Sequence, residues 1–211
     1  MIRLLIADDH AIVRQGLKQI VSESSEMAVA GEAANGEEAL ALARTIQYDV
    51  AIIDISMPGR GGLDILKDLK AARPSAKIVI LSMHPEEQYA IRCLRDGASA
   101  YITKANATEE LVHAIHAVAA GKRYITPSVA EKLASYIEQD TGHLPHESLS
   151  DRELQVFLLL GSGKTVTDIA RELSLSVKTI STYRMRVMEK MHMNSNALLI
   201  RYALQHELVE M

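Results

Sequence analysis

Residues 50–66 read VAIIDISMPGRGGLDIL. Four apolar residues, Val50 to Ile53, run without a polar alternate and close on Asp54, which suits a strand buried on both faces of a parallel sheet. Met57-Pro58-Gly59 then bends the chain, and from Leu63 apolar residues recur at helical spacing. Strand, turn and helix in that order make one βα unit. The unit repeats along the first 125 residues, with strands expected at Ile2 to Ala7, Ala28 to Ala33, Val50 to Asp54, Lys77 to Ser82 and Ala100 to Thr103. Helices are expected at about Ile12 to Ser22, Glu37 to Thr45, Leu63 to Ala72, Glu86 to Asp96 and Glu109 to Ala120. Five such units fold most economically as an α/β doubly wound parallel sheet of order 2-1-3-4-5, whose ligands bind at the carboxyl ends of the strands.

The residues at those ends share one chemistry. The first strand runs into Asp8-Asp9, the third closes on Asp54, the fourth on Ser82, and Lys104 follows the fifth. Each alone could cap a helix, satisfy a turn or face water. Three carboxylates converging on one rim repel one another and need a cation. Hard oxygen donors at short reach suit Mg²⁺, which takes one or two carboxylates, keeps waters and shares oxygens with a phosphoryl group. With the metal and Lys104 neutralising the phosphoryl oxygens, Asp54, beside the topological switch point, is the carboxylate expected to act as nucleophile and form an aspartyl phosphate.

The stretches LLIADDH, VAIIDISMPGRGGLDIL, IVILSMH and ASAYITK resemble the receiver domain of two-component response regulators over about residues 1–122. The resemblance implies a flavodoxin-like receiver fold with Asp54 as phosphoacceptor, and with Asp8, Asp9, Asp54 and the Ser56 carbonyl around Mg²⁺. It implies that Ser82 bonds the phosphoryl oxygen, that Lys104 pairs with it, and that Tyr101 swings inward as Ser82 is drawn toward the phosphate. The implied donor is a phosphohistidine on a sensor histidine kinase, or a small acyl phosphate. The protein would then be no enzyme with a substrate of its own, but an acceptor that modifies itself. His10 follows the acidic pair and either flanks the site or packs at a helix start. The pairs His113/His116 and His143/His146 lack further clustered ligands and read as ordinary surface or linker residues.

Composition agrees with a soluble two-domain protein: 211 residues, 48% hydrophobic, 24% charged, and a single Cys93 that cannot form an internal disulfide. No apolar run approaches the length of a membrane span and no signal peptide is evident, so a cytoplasmic location is expected. Net charge is −4, divided as −5 up to Ser148 and +1 beyond it. Residues 123–148 read as a linker with a short helix, Ser128 to Gln139, followed by the aperiodic DTGHLPHES.

From residue 149 to 211 the pattern is all helical. Ser150 and Glu153 form a capping box before an apolar run ending at Gly161. A short helix at Val166 to Glu172, a tight turn, a basic helix at Val177 to Met191 capped by Ser176, and a last helix at Ala197 to Glu207 complete a helix-turn-helix pattern. Between Ser176 and Lys190 stand Lys178, Arg184, Arg186 and Lys190 against Glu189. The stretch LSDRELQVFLLLGSGKTVTDIARELSLSVKTISTYRMRVMEKMHM resembles the LuxR-type helix-turn-helix, and the whole chain resembles the NarL/FixJ class of response regulators. On that resemblance double-stranded DNA is a partner. Ser181, Thr182 and Met185 are expected at base edges, and Lys178, Thr179, Tyr183, Arg184, Arg186 and Lys190 at phosphates or as positioning residues. Tyr183 and Met185 stand where related chains often carry His and a basic residue, so base preference does not carry over. A homodimer on DNA is expected, with Leu198, Leu199, Tyr202 and Leu208 as surplus apolar residues for the contact, and RNA polymerase is a further candidate partner.

Two other readings share parts of this pattern. A phosphatase with an aspartate nucleophile would place an Asp-x-Asp pattern after the first strand, where this chain has adjacent acids. A constitutive DNA binder, sigma-factor-like, would leave the acidic rim without a use.

Overall fold

The computed structural model describes residues 1–84, 86–131 and 144–209. The chain divides into two compact units, residues 1–133 and 134–211.

In the first unit the elements are β1 (Ile2–Ala7), α1 (Ala11–Ser22), β2 (Met27–Ala33), α2 (Gly36–Thr45), β3 (Val50–Asp54), α3 (Gly62–Ala72), β4 (Lys77–Ser82), α4 (Glu86–Arg95), β5 (Ala100–Thr103) and α5 (Ala107–Ala119). The five strands pair in parallel in the order β2-β1-β3-β4-β5, as the doubly wound expectation requires. All five residues of β3 are buried, which is why its sequence shows no polar alternation. Leu4, Ile6, Val50, Ile52, Val79, Leu81, Ala100 and Ile102 point to the face covered by α1 and α5. The loop after β3 folds back so closely that a side chain on Gly62 would meet the Asp54 carbonyl oxygen at 2.3 Å, and the Gly62 N–H donates to Ile55 O at 3.0 Å. Only glycine permits that approach, and it holds the loop against the end of the strand.

Beyond α5, Tyr124 forms an isolated parallel bridge with Ala100. Helical backbone begins at residues 127–131; the remainder of the helix expected to Gln139 lies outside the described residues.

The second unit opens with a 3₁₀ turn, Pro145–Ser148, and continues with α6 (Asp151–Gly161), α7 (Val166–Glu172), α8 (Val177–Lys190) and α9 (Asn196–Gln205). Each helix starts the same way: Ser150, Thr165, Ser176 and Ser195 each accept a bond from the backbone N–H three residues on. Such a cap satisfies one of the donors every helix leaves open, and contributes about 1 kcal/mol. Val156, Phe157, Ile169, Ile180, Val187, Leu199 and Ala203 are completely buried at the centre. A side chain on Gly161 would meet Ala203 Cβ at 2.8 Å, so the missing side chain lets α6 and α9 pack closely.

One sequence expectation needs correction. Leu199 is fully buried and Leu208 is 9% exposed, so both belong to this unit's own core rather than to a surplus apolar face. Leu198 is half-buried, and Tyr202 bonds His146 Nδ1 through its hydroxyl at 2.9 Å while its ring lies 4.2 Å from His206 and 6.1 Å from Phe157. The unit is small enough that α9 must complete it.

Candidate functional site: an acidic rim and a DNA-reading helix

The strand ends bring the expected residues together. Lys104 Nζ lies 2.6 Å from Asp8 Oδ2 and 2.9 Å from Asp54 Oδ2, so one ammonium serves two carboxylates that are each almost completely buried. The same lysine's backbone N–H donates to Ser82 O at 2.7 Å, tying the end of β5 to the end of β4. Burial pulls the Lys104 ammonium downward in pKa, but Asp54 and Asp8 outweigh it and leave it raised. Burial raises the Asp54 carboxyl above the usual carboxylate range against the opposing pull of Lys104, and the nearby Asp8 adds to the rise. Two acids share one cation, and the deficit falls on Asp54.

Asp54 Oδ1 accepts from Ser56 N–H at a long 3.3 Å. Asp8 Oδ1 accepts from His10 N–H at 2.8 Å, and the Arg14 guanidinium donates to Asp8 O at 2.7 Å, which fixes the turn from β1 into α1. One ligand atom from each of Asp8, Asp9, His10 and Asp54 lies within 4.8 Å of the others, a grouping that could hold a metal ion. Two oxygens there, Asp8 Oδ2 and Asp9 Oδ1, are buried without an aligned hydrogen-bond donor among the described residues. Buried carboxylate oxygens in that condition fit a hard divalent cation.

Ser82 is fully buried, and its Oγ accepts from His84 N–H at 2.9 Å. The Tyr101 ring is buried and its hydroxyl donates to His84 O at 3.0 Å; burial raises this phenol well above its ordinary range. Tyr101 thus already lies inward, the position it was expected to reach only as Ser82 is drawn toward the phosphate. His84 was missed in the sequence. Its backbone joins Ser82 to Tyr101, and its Nε2 lies 3.3 Å from Ser56 Oγ across the mouth of the site. Its place two residues after Ser82 was the available signal.

On α8 the DNA-facing expectations separate into groups. Lys178, Ser181, Met185 and Arg186 are exposed, Met185 at 62%. Thr179, Thr182, Tyr183 and Arg184 are half-buried. The Thr179 N–H is taken by the Ser176 cap, Thr182 Oγ1 donates to Lys178 O at 3.0 Å, and Arg184 Nε donates to Asn196 Oδ1 at 2.7 Å. Of the two roles expected of Lys190, phosphate contact or positioning, its contacts fit the second. Its Nζ lies 2.6 Å from Glu153 Oε2 and fastens the end of α8 to the start of α6, so the cation is spent within the unit. Val177, 49% exposed, was overlooked; it continues the line of Ser181 and Met185 at four-residue spacing.

A buried acid at the carboxyl edge of a doubly wound sheet, joined in one chain to a helix-turn-helix unit, defines the class of two-component response regulators. The chain belongs to that family. Residues 4–116 match the response regulator receiver domain, and residues 147–203 match the bacterial regulatory proteins of the luxR family. Response regulator GacA of Pseudomonas aeruginosa is 38% identical over 211 residues, covering 100% of this chain and 99% of that protein. Response regulator UvrY of Escherichia coli K12 is 37% identical over 209 residues, covering 99% and 96%. Among solved structures, RcsB of Salmonella typhimurium superposes with a TM-score of 0.68 at 27% identity over 97% of this chain and 98% of that one. RcsB of Salmonella enterica serovar Typhimurium bound to promoter rprA in the presence of phosphomimetic BeF3⁻ gives 0.64 at 28%, over 96% and 98%. The chain is thus a transcription regulator with a receiver and a LuxR-type DNA-binding domain. Among the described residues no helix is long and apolar enough to cross a membrane.

Proposed function

We propose that Asp54 accepts a phosphoryl group from a sensor histidine kinase, or from a small acyl phosphate, and that this event controls binding of double-stranded DNA by α8. The observation that carries the reading is the single Lys104 ammonium shared by Asp54 and Asp8. Asp8, Asp9, Asp54 and the Ser56 carbonyl would hold Mg²⁺, which supplies positive charge toward the phosphoryl oxygens. An Asp54 oxygen attacks phosphorus as the bond to the donor nitrogen or acyl oxygen breaks, and Lys104 neutralises a phosphoryl oxygen. The new charge draws Ser82 Oγ from its bond with His84, and the His84–Tyr101 link carries the change to β5.

The domain division follows as residues 1–122 for the receiver, 123–148 for the linker and 149–211 for the DNA-binding domain. At DNA, Ser181, Met185 and Thr182 face base edges, while Lys178 and Arg186 meet phosphates. Thr179, Tyr183 and Arg184 position the helix, and Lys190 holds it to α6. A homodimer on paired half-sites is the working assembly, as RcsB has been solved as dimers on DNA. The location is the cytoplasm, and RNA polymerase is the partner through which bound protein would act. Footprinting of wild type and Asp54→Asn with acetyl phosphate and Mg²⁺ tests the reading: protection should be strengthened in the wild type alone.

A further inference from the structure

The imidazole of His10 has no use in the function proposed above. His10 is the N-cap residue of α1, yet its side chain makes no capping bond. The ring turns back instead: Nδ1 lies 2.8 Å from Asp9 Oδ1 and 3.4 Å from Asp8 Oδ1, while the side chain as a whole is 65% exposed. Asp9 Oδ1 is one of the two buried oxygens that lack an aligned hydrogen-bond donor among the described residues. A nitrogen and an oxygen about 3 Å apart match the bite of two adjacent ligands on a six-coordinate cation with bonds of about 2.1 Å.

We infer that His10 is a nitrogen ligand of the divalent-cation site, and that it gives the site a preference over Mg²⁺ for first-row transition-metal cations, Co²⁺ more than Mn²⁺. The inference rests on the reading of Asp8, Asp9 and Asp54 as that site. Its physical basis is the difference between the ions. Mg²⁺ binds oxygen and gives up its waters reluctantly, so an imidazole nearby adds little to its affinity. Co²⁺ accepts imidazole nitrogen readily, Mn²⁺ does so more weakly but better than Mg²⁺, and carboxylate oxygens serve all three. The ring is placed for this: without a cation Nδ1 carries its proton toward Asp9 Oδ1, 2.8 Å away, and a cation bound between the two would take that proton's place while the other ring nitrogen, on the exposed side, carries the proton toward water.

The test is a Mn²⁺ titration of the full chain, followed by electron paramagnetic resonance with Mg²⁺ as competitor. Electron spin-echo modulation then reports whether ¹⁴N is bound to the manganese. Wild type should show the nitrogen signal. His10→Ala and His10→Asn should lose it and bind Mn²⁺ about tenfold more weakly, with Mg²⁺ affinity held within about twofold. The asparagine variant keeps a good helix-start residue, which separates loss of a ligand from a weakened start of α1. His113→Ala should retain the signal, as a histidine remote in sequence from the acids. A wild type without nitrogen modulation, or a His10→Ala protein that keeps it, overturns the assignment. If the double variant Asp9→Asn, Asp54→Asn binds Mn²⁺ as wild type does, the cation is not at the rim, and the reading of the site itself fails.

Discussion

Two buried carboxylates, one in each unit, meet a lysine and respond in opposite directions. Asp54 is 2% exposed and Glu153 is 3% exposed, and their lysines stand 2.9 Å and 2.6 Å away. Burial acts to raise both acids; the bonds Glu153 makes to Lys190 and to Ser150 overcome it and hold that carboxyl below its ordinary value, whereas Asp54 stays raised. Asp54 lies deeper in its unit, so burial weighs more on it, and its bonds do less to offset that. Glu153 has Lys190 to itself and also accepts from Ser150 N–H at 2.7 Å within the capping box. Asp54 shares Lys104 with Asp8 and has only a long bond from Ser56. A satisfied carboxylate is architecture, and a carboxylate left short of positive charge is a place where a cation and a phosphoryl group can be accepted.

That contrast can be broken by substitution. Removing the satisfied acid should hurt most. Glu153→Ala should cost about 2 kcal/mol of stability in the DNA-binding unit, through the lost cap and the stranded Lys190, read by urea unfolding. An unchanged midpoint would deny Glu153 its structural role. Asp54→Asn should have the opposite sign and raise receiver stability by about 1 kcal/mol, because it removes a buried charge from an over-subscribed lysine. Destabilisation would mean that the Lys104–Asp54 pair is an ordinary favourable ion pair.

The pH dependence sharpens the same point. Because the folded Asp54 holds its proton more tightly than the unfolded chain, its contribution to stability declines as pH rises from the ordinary aspartate value of 3.8 through the raised folded value. Glu153 runs the other way: its contribution is present above the unfolded value of 4.5 and is lost as pH falls through the lowered folded value. Hydrogen exchange, resolved to each unit and referenced to Asp54→Asn and Glu153→Gln, should show the Asp54 contribution declining as pH rises above 3.8 and the Glu153 contribution declining as pH falls below 4.5.

The smallest effects compare two lysines of α8. Lys190→Ala should lower stability by about 1 kcal/mol, since its ion pair is partly exposed. Lys178→Ala should leave stability within about 0.5 kcal/mol and reduce the salt dependence of DNA binding by about one ion. A reversal of these outcomes would return Lys190 to the DNA face.

Much of this was legible in the sequence because it is local. Strands that lack polar alternation, acids at their ends and the caps Ser150 and Ser176 depend on neighbouring residues, and element boundaries moved by no more than about two positions. What escaped depends on residues distant in the chain. Lys190 meets Glu153 across 37 positions, and Tyr101 meets His84 across 17, so spacing along either helix or strand carries no trace of the contact. Leu199 and Leu208 looked like surplus because an apolar helix face reads the same whether a core or a second chain covers it. His10 was read as flanking the acids or packing at a helix start; the direction of its ring is a tertiary fact.

The proposal that Asp54 is the acceptor has one direct test. Incubation of the full chain with acetyl phosphate and Mg²⁺, followed by borohydride trapping and peptide mass spectrometry, tests it most directly. The account predicts one labelled aspartate, Asp54, in the wild type and no label in Asp54→Asn. Labelling of Asp8, Asp9 or any other residue in the wild type, or undiminished labelling of Asp54→Asn, would contradict it.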